Sequence, residues 1–82
     1  MAALAYRATE ESIRRDFDAT DTWKVVYEGF AQPGHYDDNG SAVWKICKYI
    51  WVGAQNVAIA WADGNTNYDK IWDDRDTAYT YT

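Results

Sequence analysis

The chain has 82 residues, with one Cys, one His and one Pro against five Trp, seven Tyr and two Phe, and a formal net charge of −5. A single Cys excludes an internal disulfide, and there is no Cys/His cluster with zinc spacing, so the staples common in small folds are missing. An acidic chain without a basic stripe argues against nucleic-acid and membrane-surface partners, and no apolar run approaches the ~20 residues of a spanning helix.

Residues 1–22 read as an N-terminal arm carrying −2, against 0 for residues 23–62 and −3 for residues 63–82. Met1 to Tyr6 lacks the basic and long apolar regions of a secretory signal, and the lone Cys suits folding in a reducing compartment. Thr9 is placed to cap a short helix with Glu10 and Glu11 in its first turn. Tyr6, Ile13 and Phe17 form its sizeable apolar stripe, too narrow to hold an isolated helix in water. The arm is expected to order by docking on a neighbour.

Residues 23–82 read as a small β domain. Trp23 to Ala31 predicts a first strand, broken by Gln32, Pro33 and Gly34. Asp37 to Ser41 is turn chemistry. Ala42 to Val52 is the strongest strand pattern in the chain. Gly53, Ala54 and Gln55 make a hairpin loop, and Asn56 to Ala62 pairs back antiparallel. After a turn at Asp63 to Asn67, the i, i+3, i+4 spacing of Tyr68, Ile71 and Trp72 predicts one or two helical turns. The Thr/Tyr alternation of Thr77 to Thr82 predicts a last short strand. The fold class is therefore mainly β: a small antiparallel sheet of three to four strands, a short C-terminal helical turn, and an N-terminal arm or short helix.

Both faces of the second strand are apolar, which a sheet open to water on one side should not show. Either the C-terminal segment or a partner covers the second face. Trp44, Ile46, Ile59 and Trp61 are the expected core. Tyr6, Ile13, Phe17, Trp23, Tyr49 and Trp51 are the expected interface residues, since Trp and Tyr dominate binding energy at protein interfaces.

Four groups invite a chemical reading. Asp63, Asn65, Asn67, Asp69 and Asp74 occupy positions one, three, five, seven and twelve of a calcium loop. Position six is Tyr68 rather than Gly, position twelve is Asp rather than Glu, and no helix precedes Asp63. The simpler reading is a polar turn that caps a short helix. His35 sits in a loop without a neighbouring nucleophile in sequence, and is expected to be solvated. Cys47 lies mid-strand and is expected to be a small buried hydrophobe. Arg75 is expected to pair locally with Asp73 or Asp76. No nucleophile–base pair can be named, so an enzyme is the least favoured class, and no cofactor is implied.

Ala42-Val43-Trp44-Lys45-Ile46, then Trp61-Ala62-Asp63-Gly64-Asn65, Tyr68-Asp69 and Ile71-Trp72-Asp73-Asp74-Arg75, resembles a small protein type of tailed bacteriophages. That type carries a "WADGN" turn and a Trp-Asp-x-Arg ending. The resemblance spans about residues 23–82; the arm, Cys47 and the Lys48-Tyr49 stretch lie outside it. It implies a virion structural or adaptor subunit of the capsid, neck or tail, assembled in the host cytoplasm, present in multiple copies or as a homo-oligomer, with other phage structural proteins as partners. Two other readings compete: a carbohydrate-binding adhesion module, which the aromatics suit, and a small acidic inhibitor.

Overall fold

The computed structural model describes residues 12–82. Four strands run as an antiparallel meander in spatial order: β1 (Ser12–Phe17), β2 (Val25–Ala31), β3 (Ala42–Val52) and β4 (Gln55–Trp61). A two-residue β5 (Lys70–Ile71) pairs with the start of β3 and leads into a 3₁₀ turn at Trp72–Asp74. The chain is mainly β, as its residue pattern predicts.

The local reasons are plain in the middle of the chain. β3 is built from Val, Ile, Trp and Tyr, which suit a pleated, packed surface. Val52 pairs with Gln55, so the connection is the two-residue turn Gly53-Ala54, one residue shorter than expected. Gly53 takes φ +58, the left-handed geometry such a turn needs at no steric cost. Opposite Ile50 and Trp51 the register slips from Ala58 to Asn56, leaving Val57 as the extra residue of a bulge.

Register then decides the core. Trp44 lies opposite Ala31 and Ile46 opposite Gly29, while on the other side Lys48 faces Ala60 and Ile50 faces Ala58. Directly opposed residues share a face. The face that carries Trp44 and Ile46 is therefore flanked by small residues, which leave a trough. Trp72 fills it, its ring 5.4 Å from that of Trp44, and Tyr27, Tyr36, Tyr79 and Tyr81 pack around the buried cluster of Ala31, Trp44, Ile46, Ala62 and Trp72. The C-terminal segment thus covers the face of Trp44 and Ile46, the expected core, and not the face opposite it. It is anchored by Trp61–Thr82 backbone bonds and by an isolated bridge between Ala62 and Tyr81.

Several expectations need correction. Ser12–Phe17 is an edge strand and not a helix, paired with β2 in the same sheet as the rest of the domain; Thr9, Glu10 and Glu11 lie outside the described residues. The helical spacing of Ile13 and Phe17 was overridden by long-range pairing: Arg14, Arg15 and Asp16 each find a partner far along the chain. Ile59 and Trp61 are not core. Ile59 pairs with Tyr49 and Trp61 with Cys47, both on the face opposite Trp44, and Ile59 is 49% exposed. The short C-terminal helical turn is present as a 3₁₀ turn, whereas Thr77 to Thr82 contributes one bridge rather than a strand.

Candidate assembly surface

The molecule has two unlike ends. At the end where β2 turns into β3, the sheet is layered by the 32–41 loop and the C-terminal segment. Arg14 stacks over Tyr36 at 4.6 Å and donates to Asn39 and to the Tyr36 carbonyl. Trp44 Nε1 donates to the Asp38 carbonyl at 2.9 Å. Arg75 donates to Asp16 Oδ2 at 2.9 Å, lies 4.5 Å over the Trp72 ring, and donates to the Trp72 carbonyl at 3.1 Å. Its partner is thus on β1, not Asp73 or Asp76.

The far end holds the β3–β4 hairpin and the β1–β2 loop. No further strand or helix lies over either face there among the described residues. Val52 is 67% exposed, Trp23 58% and Val57 52%, and Phe17, Ile50 and Ile59 are exposed beside them. Ile50 belongs to the Trp44 face and Ile59 to the other, so this tip is apolar on both sides.

Two of the expected interface aromatics are tied inward. Trp51 Nε1 donates to the Val25 carbonyl at 2.8 Å, and its ring meets Trp23 edge-on at 5.6 Å. Lys24 lies 5.4 Å from the Trp23 ring and pairs with Asp21 at 3.2 Å. The Tyr49 hydroxyl donates to Glu28 Oε1 at 2.8 Å, while Arg15 Nε donates to Glu28 Oε2 at 2.7 Å. Glu28 is buried with both oxygens engaged, beside the buried Cys47. Burial pushes the Cys47 thiol up to about 11, so it is a small hydrophobe and no nucleophile. Tyr49 and Trp51 are therefore half-buried and partly structural. Ile13, Phe17 and Trp23 are exposed, and Tyr6 lies outside the described residues. Sequence reasoning missed Ile50, Val52, Val57 and Ile59, although the two-sided apolar pattern of β3 was their signal.

The calcium-loop residues do not converge on one centre. Asn65 Oδ1 accepts from Lys70 Nζ at 2.9 Å and from the Asn67 backbone N–H at 3.1 Å, and Asp69 also holds Lys70. Lys70 is 3% exposed, so a lysine occupies the position where these oxygens meet. Asp63 accepts from the Thr80 N–H at 3.4 Å, and Asp74 ends the 3₁₀ turn. Among the described residues no three His, Cys, Asp or Glu side chains gather as metal ligands. His35 is half-exposed and bonded through Nδ1 to Asp38 at 2.6 Å.

These features define the chain as a single antiparallel β-meander, closed at one end by its own C-terminal segment. Comparison with protein-family models, with curated proteins and with solved structures returns no significant match.

Proposed function

We propose that the chain is a non-enzymatic structural or adaptor subunit of a tailed-phage particle and works by protein–protein assembly. The observation that carries this reading is the hairpin tip, apolar on both faces and without a second layer among the described residues. Burying such a tip between neighbours would supply roughly 25 cal/mol for each Å² of apolar surface removed from water. The other end is self-sufficient, so the subunit can fold first and be completed by a neighbour afterwards.

The residues that carry the phage-like pattern fit this reading. Trp44, Ala62 and Trp72 build the core, and Arg75 ties the C-terminal segment to β1. A pattern made of fold-determining residues belongs to a scaffold and does not mark a reaction site. The test is the mass of the purified protein against concentration. Concentration-dependent association that is lost in Val52→Glu supports assembly through the tip. A strict monomer at every concentration, with a cooperative melt, overturns self-assembly through this surface.

One observation favours a second reading, the glycan-binding module. Trp23 stands exposed, edge-on to Trp51, and exposed indole rings can stack on sugars. Glycan-array binding abolished by Trp23→Ala would support it, and an empty array would dismiss it.

A further inference from the structure

On the face that carries Trp44 and Ile46, the C-terminal segment stops part-way along the sheet. Beyond it lies an open groove of about 490 Å³, lined by Lys48, Tyr49, Ile50, Trp51, Tyr79 and Tyr81. That volume falls within the ~300–1,000 Å³ of ordinary ligand sites. Ile50, two residues past Lys48, shares its face by strand alternation and is exposed.

The chemistry of the walls is specific. Both tyrosine hydroxyls are turned away to the protein: Tyr79 accepts the Ile71 N–H at 2.6 Å, and Tyr81 donates to the Arg75 carbonyl at 2.6 Å. Their rings are therefore left to present carbon. Lys48 is half-buried, with Nζ 5.8 Å from the centre of the Tyr27 ring. Arg15, Lys24, Lys70 and Arg75 each hold a carboxylate, whereas Lys48 has no ion pair among the described residues. A lone cation among apolar rings suits a carboxylate attached to an apolar body.

We propose that this groove receives an extended peptide segment of a partner subunit. An Asp or Glu of that segment pairs with Lys48 Nζ, and an adjacent apolar side chain lies against Ile50 beside Tyr79 and Tyr81. A partly desolvated Lys–carboxylate pair is worth more than an exposed one, and it orients the segment along the groove. The inference rests on the assembly reading in one respect, that the occupant is protein.

The experiment is selection of a displayed random-hexapeptide library on the intact protein, followed by calorimetric titration of the most enriched synthetic peptide. Enrichment of Asp or Glu next to aromatic or aliphatic residues is expected. Lys48→Met, which keeps the apolar stem, should weaken binding at least tenfold and erase the acid preference. Lys24→Met, outside the groove, should change binding less than twofold, and both variants should melt like the parent. No enrichment, enrichment without acids, an acid preference that survives Lys48→Met, or displacement of the peptide by sialyllactose would each overturn the proposal. The selection reads the groove alone and the mass measurement reads the hairpin tip, so the two readings fail separately.

Discussion

Trp72 lies directly over Gly29. A Cβ built on Gly29 would come within 2.5 Å of ring carbons Cε3 and Cζ3 of Trp72 and 3.0 Å of Cε3 of Trp44. Neither ring has space to retreat, since both belong to the buried cluster. Gly29→Ala should therefore destabilise the fold by about 1–3 kcal/mol, the range of overpacked cores. Gly53→Ala is the contrast. No atom lies within 4 Å of its Cβ, and its φ of +58 alone is strained, which predicts a loss of about 1 kcal/mol. Urea melts of the two variants test both figures.

The Arg75–Asp16 pair joins residues 59 apart in sequence and clamps the C-terminal segment to the edge strand. Arg75→Ala removes that charge-assisted bond and the stacking on Trp72, and should cost about 1–2 kcal/mol. Arg75→Lys should recover little of it, because an ammonium cannot stack and fork as a guanidinium does. Added salt should weaken the parent more than Arg75→Ala. Melts at low and high salt distinguish the clamp from simple packing.

Alkali should destabilise the protein. Burial pushes Cys47 up to about 11 from 9.0, and burial followed by hydrogen bonding to Glu28 pushes Tyr49 up to about 12 from 10.0. Burial also raises Tyr27 and Tyr81. Each group keeps its proton in the folded chain at a pH where the unfolded chain has released it. Their stabilisation is thus complete below about pH 9 and is lost as pH rises from about 9 to about 12. Denaturant melts from pH 8 upward should show the fall, and Tyr49→Phe should make it shallower. Cys47, 2% exposed, should react with a thiol reagent only after unfolding.

Lys70 is held by Asn65 and Asp69 in the loop that resembles a calcium site. Lys70→Met leaves those oxygens without their cation and should cost about 1–3 kcal/mol. Calcium at millimolar concentration should leave the melting temperature of the parent unchanged. A rise of several degrees would mean that the loop takes a metal after all.

The exposed tip should be neutral for folding. Val52→Glu and Val57→Glu should change stability by no more than about 0.5 kcal/mol, as exposed positions usually do. Both should abolish concentration-dependent association. If they unfold the protein instead, the tip is part of the core and the assembly reading fails.

Much of the frame was legible in the residues. Ala42 to Val52 and its return strand stand where their β-branched and aromatic runs placed them, because a run bounded by turn residues is a local signal. The sequence offered the C-terminal segment as a cover for the second face of the sheet, and it covers instead the face of Trp44 and Ile46. The edge strand was not: Ile13 and Phe17 suit a helix by spacing, and only pairing with β2 and distant partners for Arg14, Arg15 and Asp16 make Ser12–Phe17 extended. The core face of β4 was not legible either. Ile59 and Trp61 outrank Ala58 and Ala60 in hydrophobicity, and a strand by itself presents both sets equally. Trp72 and the tyrosines arrive from the end of the chain and need a trough, which Gly29, Ala31, Ala60 and Ala62 leave open. Sequence alone determined where β2, β3 and β4 form, through local propensity and turn chemistry. Tertiary structure decided which side of each strand lies inside, because that depends on the size of residues brought from far along the chain.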